Sequence, residues 1–468
     1  MLSSHVLINL VGLVTTMLTV RALGPAEYGD LTFVLAYLGF CLTLTESSLS
    51  LTIMRKASQA PSQLGDLLGN GLVLQGVLAI VVFGVGTAVS PLLGYNPTVT
   101  RLLRLSLLIL LLSPFSLFRL IFLVTQKIKL LAVLDLVVQL SGFLLTLLVI
   151  RANLAHATSI LWVQVANATL TAIYYLYSRH HLSLFTFRLN WQVCSTLIRD
   201  AWPLSMTTLL LAVQIHIGRL IIGHQLSNTE GGYYATATRL AFAIQFIPTA
   251  YFASVYPLLA HYHLDDFTKF RWLYRLSYKS LMIFILPIAL LATLTSRALI
   301  SFYAGFAYLN AAPLFAWFIW LQVFHYAGLT LYYMMLAANQ HTYFPKLSII
   351  QTILHVAILQ WLLPRIGLTG SALTVMLVHL ILFSIYILIK DTRQYIWDWL
   401  YELSRPLLAI IILGIILTNL HLSPLLIWLV GLSLYGFLLF ILGGMSWLDR
   451  QLASNIFAYL LRKVTKPL

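Results

Sequence analysis

The chain has 468 residues, 60% of them hydrophobic and only 9% charged, with 28 Lys and Arg against 13 Asp and Glu for a formal charge of +15. A soluble domain carries about a quarter charged residues and a disordered one is poor in apolar residues, so both classes are excluded. In a soluble protein this cationic excess would point to nucleic acid; in so apolar a chain it first asks which side of a membrane the cations face.

Apolar runs long enough to span a bilayer, at about 20 residues each, fall at 6–20, 31–53, 69–93, 103–124, 130–150, 155–178 and 202–224. A second series falls at 233–259, 280–300, 312–337, 344–363, 367–389, 405–420 and 424–443. No β-barrel alternation is present, so the fold class is an all-α polytopic membrane protein of about 14 helices. Pro114, Pro248 and Pro287 inside spans are tolerable where neighbouring helices re-satisfy the freed backbone groups. Met1–His5 holds no Lys or Arg, so the first run reads as a retained helix, not a secretory signal. The longest loop is expected at Arg179–Ala201. Cys41 in helix 2 and Cys194 in a loop form no disulfide framework. His180-His181 and His261-Tyr262-His263 lack a partner at ligand spacing, so no metal and no cofactor is expected.

Loop parity sorts the cations. With the N-terminus inside, twenty Lys and Arg face the cytoplasm and six (Arg21, Arg101, Arg104, Arg151, Arg297 and Arg365) face outward. Arg219 and Arg239 fall within spans. The bias predicts cytoplasmic N- and C-termini, and most of the +15 becomes topology. Trp447–Lys463 repeats Leu448, Leu452, Ile456 and Leu460 every fourth residue among cations, which predicts a basic amphipathic helix lying on the inner leaflet. Tyr395–Leu403 is a second such candidate.

The chain also repeats itself. Leu23, Glu27 and Gly29 after helix 1 recur as Leu226, Glu230 and Gly232 after helix 7, and Gln126, Arg151 and Leu154 recur as Gln340, Arg365 and Leu368. Both pairs relate helix n to helix n+6, an even shift that keeps orientation. Two six-helix lobes in parallel follow, related by an axis along the membrane normal. The expected divisions are 1–200, 201–393 and an appendix of two helices with the amphipathic segment at 394–468.

Arg21-Ala-Leu-Gly-Pro-Ala-Glu-Tyr-Gly29 resembles the signature of Wzx-type polysaccharide-transport flippases of the multidrug/oligosaccharidyl-lipid/polysaccharide exporter superfamily. The likeness continues at Gly232-Tyr-Tyr-Ala-Thr-Ala-Thr-Arg-Leu240, at Pro248 and Pro257, and at Gly367-Leu-Thr-Gly-Ser-Ala-Leu373. The resemblance implies a two-lobed transporter that moves an undecaprenyl-diphosphate-linked oligosaccharide between leaflets, with helices 1, 2, 7 and 8 lining a cavity.

That substrate has an anionic head, and an intramembrane ion costs about 2.5–3.5 kcal/mol at the bilayer centre, which marks it as a functional candidate. Arg219, Arg239 and Arg21 are the expected diphosphate ligands, because guanidinium forks match phosphate oxygens. Ser205, Thr208, Ala212, His216, Arg219 and Gly223 step by three or four along helix 7 and predict a small, polar cavity wall. Glu46 and Asp135 are candidates for coupling to H⁺ or Na⁺, or for structural salt bridges. Many relatives carry Asp before the helix 7 arginine, where this chain has Gly218. Expected partners are the lipid-linked oligosaccharide, the phospholipid bilayer, and polymerase and chain-length proteins; the flippase is expected as a monomer in a bacterial inner membrane, without nucleic acid. A cation-coupled multidrug exporter of the same superfamily is the rival reading, and a lipid-linked glycan polymerase or ligase the enzymatic one. The short external loops and the absence of a nucleophile elbow, phosphate loop or zinc string argue against an enzyme.

Overall fold

A chain in lipid must bond its own backbone, and helices do so within each segment. The computed structural model describes residues 2–180, 189–340, 343–420 and 422–444, and among these it contains helices and no strand. In order they are α1 (Leu2–Gln59), α2 (Leu64–Val89), α3 (Pro97–Leu112), α4 (Arg119–Val124), α5 (Ile128–Arg151), α6 (Ala157–His180), α7 (Trp191–Gln225) and α8 (Asn228–Phe242). There follow α9 (Phe246–Asp265), α10 (Phe267–Leu294), α11 (Ser296–Ala304), α12 (Ala312–Ala337), α13 (Tyr343–Ile366), α14 (Leu368–Leu388), α15 (Lys390–Thr418) and α16 (Pro424–Ile441). Twelve segments of the described residues are long and apolar enough to cross a membrane. The first of these merges two expected spans, because α1 runs across a break at Gly24 (φ 73°, ψ 172°) with Pro25 behind it. The more polar α6, which carries Gln164, Asn167 and Thr171, stands where a further span is expected. The expected count of about 14 is thereby met.

Prolines shape the ends of several spans. The expected single span at 233–259 is broken between α8 and α9, just ahead of Pro248. Proline cannot donate to the carbonyl four residues back, which here is Ile244. The Tyr326 hydroxyl donates to that carbonyl at 2.8 Å, beside the Ile247 amide at 3.2 Å.

Packing groups the helices into two units, one of Ser3–Ala235 with Thr352–Leu368, the other of Thr236–Gln351 with the described residues from 369 on. These boundaries differ from the expected 200/201 and 393/394 divisions. α7 joins the first unit with part of α13, where Ile221, Ile222, Leu359 and Leu363 form a buried cluster and Gln214 Nε2 donates to Thr352 Oγ1 at 2.8 Å. The first unit's core centres on Ile53, Leu68, Leu117, Phe118 and Phe122, whereas Ile80 and Val81 of α2 are 63% and 53% exposed, as lipid-facing side chains should be. The second unit's core centres on Phe252, Tyr274, Met282 and Tyr326.

Tyr395–Leu403 is not a separate interfacial helix: it is the first part of α15, which runs unbroken through Pro406 and carries the short span expected at 405–420. Packing overrides the sequence pattern, since Trp399 stacks on Tyr278 with ring centroids 4.4 Å apart and Tyr395 is buried against α10. The loop expected to run to Ala201 ends earlier, because α7 begins at Trp191, capped by the Asn190 side chain. The amphipathic helix expected at Trp447–Lys463 lies outside the described residues.

Tyr326→Phe removes the shorter of the two hydrogen bonds to the Ile244 carbonyl and is expected to cost about 1 kcal/mol. A lowered thermal unfolding temperature of the detergent-purified variant checks this; an unchanged one removes Tyr326 as the compensating donor.

Candidate functional site: the helix 1 and helix 7 motifs

The two repeated motifs meet each other. A methyl group on Gly29 would lie 1.8 Å from the Asn228 carbonyl oxygen, and one on Gly232 would lie 2.0 Å from the Pro25 carbonyl oxygen. Gly29 corresponds to Gly232 and Pro25 to Asn228 under the sequence repeat, so the contact is reciprocal, as a two-fold relation requires. Only residues without a Cβ permit this approach. The paired glutamates do matching work at helix starts. Glu230 accepts from the Ser227 amide and hydroxyl while the Ser227 hydroxyl accepts from the Glu230 amide, a capping box for α8. Glu27 accepts from the Ala157 amide at the start of α6 at 3.1 Å, with His156 Nδ1 3.4 Å from its other oxygen.

From this contact the second part of α1 runs antiparallel to α7. Phe33 packs on Gly223 so closely that a methyl group on that glycine would lie 2.5 Å from the ring. Gly39 takes His216 in the same way, at 2.4 Å from such a methyl. Ser205 Oγ donates to Ser48 Oγ at 2.6 Å. Ala212 is buried between them. The α7 face predicted as an open cavity wall is therefore largely a packed seam in this conformation, and its small residues serve close helix approach. His216 Nδ1 is buried with no hydrogen-bond partner among the described residues.

Two openings remain along the seam. Arg219, one turn beyond His216, lines a cavity of about 10 Å³ with Asp30, Thr32, Tyr95, Asn228 and Tyr234. That is room for one water at most. Ser205 and Thr208 line a larger groove of about 450 Å³ with Thr43, Ser48, Val77, Val81 and Trp202. Thr208 Oγ1 donates to the Leu204 and Ser205 carbonyls of its own helix. Arg21 is exposed on α1 just before the Gly24 break, and Arg239 is exposed on α8 in the second unit. The structure thus brings Arg219, His216, Ser205 and Thr208 onto one helix pair, with Arg239 outside that unit.

The two intramembrane acids differ. Asp135 is bound by Arg119, with Nη2 to Oδ2 at 2.9 Å and Nη1 to Oδ1 at 3.4 Å, and the Tyr175 hydroxyl lies 3.5 Å from Oδ1. Glu46 lines a largely apolar cavity of about 230 Å³ with Leu42, Ile109, Phe115, Ser113, Thr171 and Tyr175. No charged partner stands beside it among the described residues. Sequence reasoning misses Asp30, which sits outside the apolar run; its one signal is its place directly after the motif's Gly29. Gly218 is also explained locally, since a side chain there would meet the Tyr234 hydroxyl at 3.1 Å.

The glycine contact is sharply selective. Gly29→Ala and Gly232→Ala each force the two motifs apart and are expected to cost about 1–3 kcal/mol. Gly231→Ala, whose methyl would lie 3.8 Å from its nearest neighbour, is expected to be neutral. Thermal unfolding of the three variants tests this, and equal effects at Gly231 and Gly232 would refute the reciprocal contact.

The polysaccharide biosynthesis protein family matches residues 1–263. Among solved structures, the lipid II flippase MurJ in an inward closed conformation superposes with a TM-score of 0.73 at 13% identity, covering 94% of this chain and 97% of that one. An inward-facing multidrug resistance MATE family transporter of the MOP superfamily gives 0.59 at 14% identity, over 84% and 95%. A MATE transporter of Vibrio cholerae gives 0.52 at 13% identity, over 82% and 95%. No curated protein matches the sequence. At these identities the structures establish a shared fold, in keeping with the resemblance carried by the loop motifs. The family match covers more than half of the chain, which therefore belongs to the polysaccharide biosynthesis protein family.

Proposed function

We propose that the protein is a flippase that moves undecaprenyl-diphosphate-linked oligosaccharide repeat units from the cytoplasmic to the outer leaflet by alternating access. The units are those of an O-antigen, capsule or exopolysaccharide. The protein acts as a monomer, with both termini cytoplasmic, in a bacterial inner membrane, and hands its product to polymerase and chain-length proteins. It moves its substrate without making or breaking a bond, so it is not an enzyme.

The observation that carries this reading is Arg219, an arginine kept within a membrane span and lining a small cavity in the α1–α7 seam that Asp30 also lines. A cation there suits a diphosphate. The roughly 10 Å³ around it cannot admit one, so the substrate must enter in a conformation where the seam has parted, and alternating access supplies that conformation. Arg21 and Arg239 are further candidates for the anionic head group, each on its own unit, and His216, Ser205 and Thr208 become cavity wall when the seam opens. Arg219→Gln with Arg239→Gln is expected to abolish surface glycan while leaving the protein inserted at normal levels. Wild-type glycan in the double variant would sink the proposal.

Coupling is assigned to Glu46, since its carboxylate lies in a largely apolar cavity without a paired cation, whereas Asp135 is already neutralised by Arg119. H⁺ or Na⁺ bound at Glu46 would favour one state over the other. Glu46→Gln is expected to make flipping in proteoliposomes insensitive to an imposed ion gradient with little change in stability. Asp135→Asn is expected to keep the gradient response and to lose about 1 kcal/mol, the worth of a part-exposed pair. The opposite pattern would move the coupling role to Asp135.

A further inference from the structure

Away from the α1–α7 seam, the second unit holds a cationic cavity. Arg271, Arg275 and Lys279 recur every fourth residue at the start of α10, which places them on one helix face. They line a cavity of about 430 Å³ together with Thr268, Trp272 and Glu402. Its volume falls within the range of about 300–1,000 Å³ typical of ligand sites.

Two carboxylates of α15 reach this row. Arg271 donates from Nε and Nη2 to both oxygens of Asp398 at 2.7 Å. Arg275 donates from Nε and Nη2 to Glu402 Oε1, and Lys279 Nζ stands 3.6 Å from Glu402 Oε2. The two arginine pairs fasten α10 to α15 beside the stacked Tyr278 and Trp399. That fastening explains the two carboxylates but not the cavity in front of the row. Three cations against two carboxylates give this cavity a net positive charge, and the Nη1 groups of both arginines make no hydrogen bond among the described residues.

The setting is that of a membrane interface. Trp272 is half-buried, and the exposed Tyr401 ring lies 5.8 Å from the Arg275 guanidinium carbon. Aromatic rings concentrate where lipid meets water. The cation distribution assigns this end of α10 to the cytoplasm, where anionic lipids attract basic pockets between helices.

We propose that this cavity binds the phosphate of an anionic phospholipid, with Arg275 and Lys279 on the phosphate oxygens and Thr268 on the headgroup hydroxyls. The acyl chains stay in the bilayer beside Trp272. Occupancy adds a balancing negative charge and ties the start of α10 to α15. The site is independent of the proposed flipping reaction and of the arginines assigned to it.

Native mass spectrometry of the detergent-purified full-length protein, titrated with phosphatidylglycerol, phosphatidylcholine and inorganic phosphate, tests the assignment. Phosphatidylglycerol is expected to bind at least about ten-fold more tightly than phosphatidylcholine. Lys279→Gln is expected to weaken phosphatidylglycerol about five-fold. Glu402→Gln removes the carboxylate that competes for Arg275 and Lys279 and is expected to tighten it, a gain that misfolding cannot produce. Equal binding of the two lipids, or weaker binding in Glu402→Gln, overturns the proposal. Inorganic phosphate binding as tightly as phosphatidylglycerol also overturns it, by making this a site for a soluble phosphate.

Discussion

Most of the candidate site hangs on the contact of Gly29 with Gly232. Each glycine lets the other motif's backbone come within a distance no side chain would tolerate, and each does so at the equivalent point of its repeat. Everything along the α1–α7 seam follows from that approach. Phe33 reaches Gly223, His216 reaches Gly39 and Ser205 reaches Ser48 because the two helix ends are already held together. In lipid, apolar side chains gain nothing by choosing protein over hydrocarbon. A seam of small residues with a few hydrogen bonds is then the economical way to close two helices, and it also parts without exposing a large apolar surface to water. The same geometry serves a closed state and a transition away from it.

Several polar groups left over from closing the chain find a specific partner. Ile244 loses its helical donor to Pro248 and gains Tyr326. Asp135 gains Arg119, and the carboxylates of α15 gain the arginines of α10. Glu46 and His216 have no such partner among the described residues. Burying an ionisable or polar group without a partner carries a cost, and for these two it falls at the seam itself and in a cavity that opens off the same stretch of α1.

How much of this is legible from residues alone depends on the kind of signal. Spans read well because hydrophobic length is a local property, and the motif glycines are legible as a repeat, whereas their mutual close approach shows only in the structure. Tyr395–Leu403 misleads, since a short aromatic and charged run looks interfacial until Tyr278 and Trp399 are seen to stack. The helix 7 face reads correctly as small and polar, but those residues suit a packed seam and an open wall equally, and only the neighbour decides. Asp30 escapes because it lies between motif and span, where neither periodicity nor apolar length draws attention. Asp135 and Glu46 look alike in sequence; Arg119, sixteen positions from Asp135, separates them.

That separation bears on how the acid and the arginine could communicate. Glu46 and Ser48 lie within two residues of each other on α1, and Ser48 is hydrogen-bonded to Ser205 across the seam. Arg219 lies about four turns further along the same α7, at the seam's other end. A change in charge at Glu46 therefore acts on a helix whose far end holds the glycine contact. Coupling of this kind needs no relay of side chains. It needs one element with two arrangements that both sites bias, and the second part of α1, pinned at Gly29 and carrying Glu46 near its other end, is the element that the proposed coupling would use.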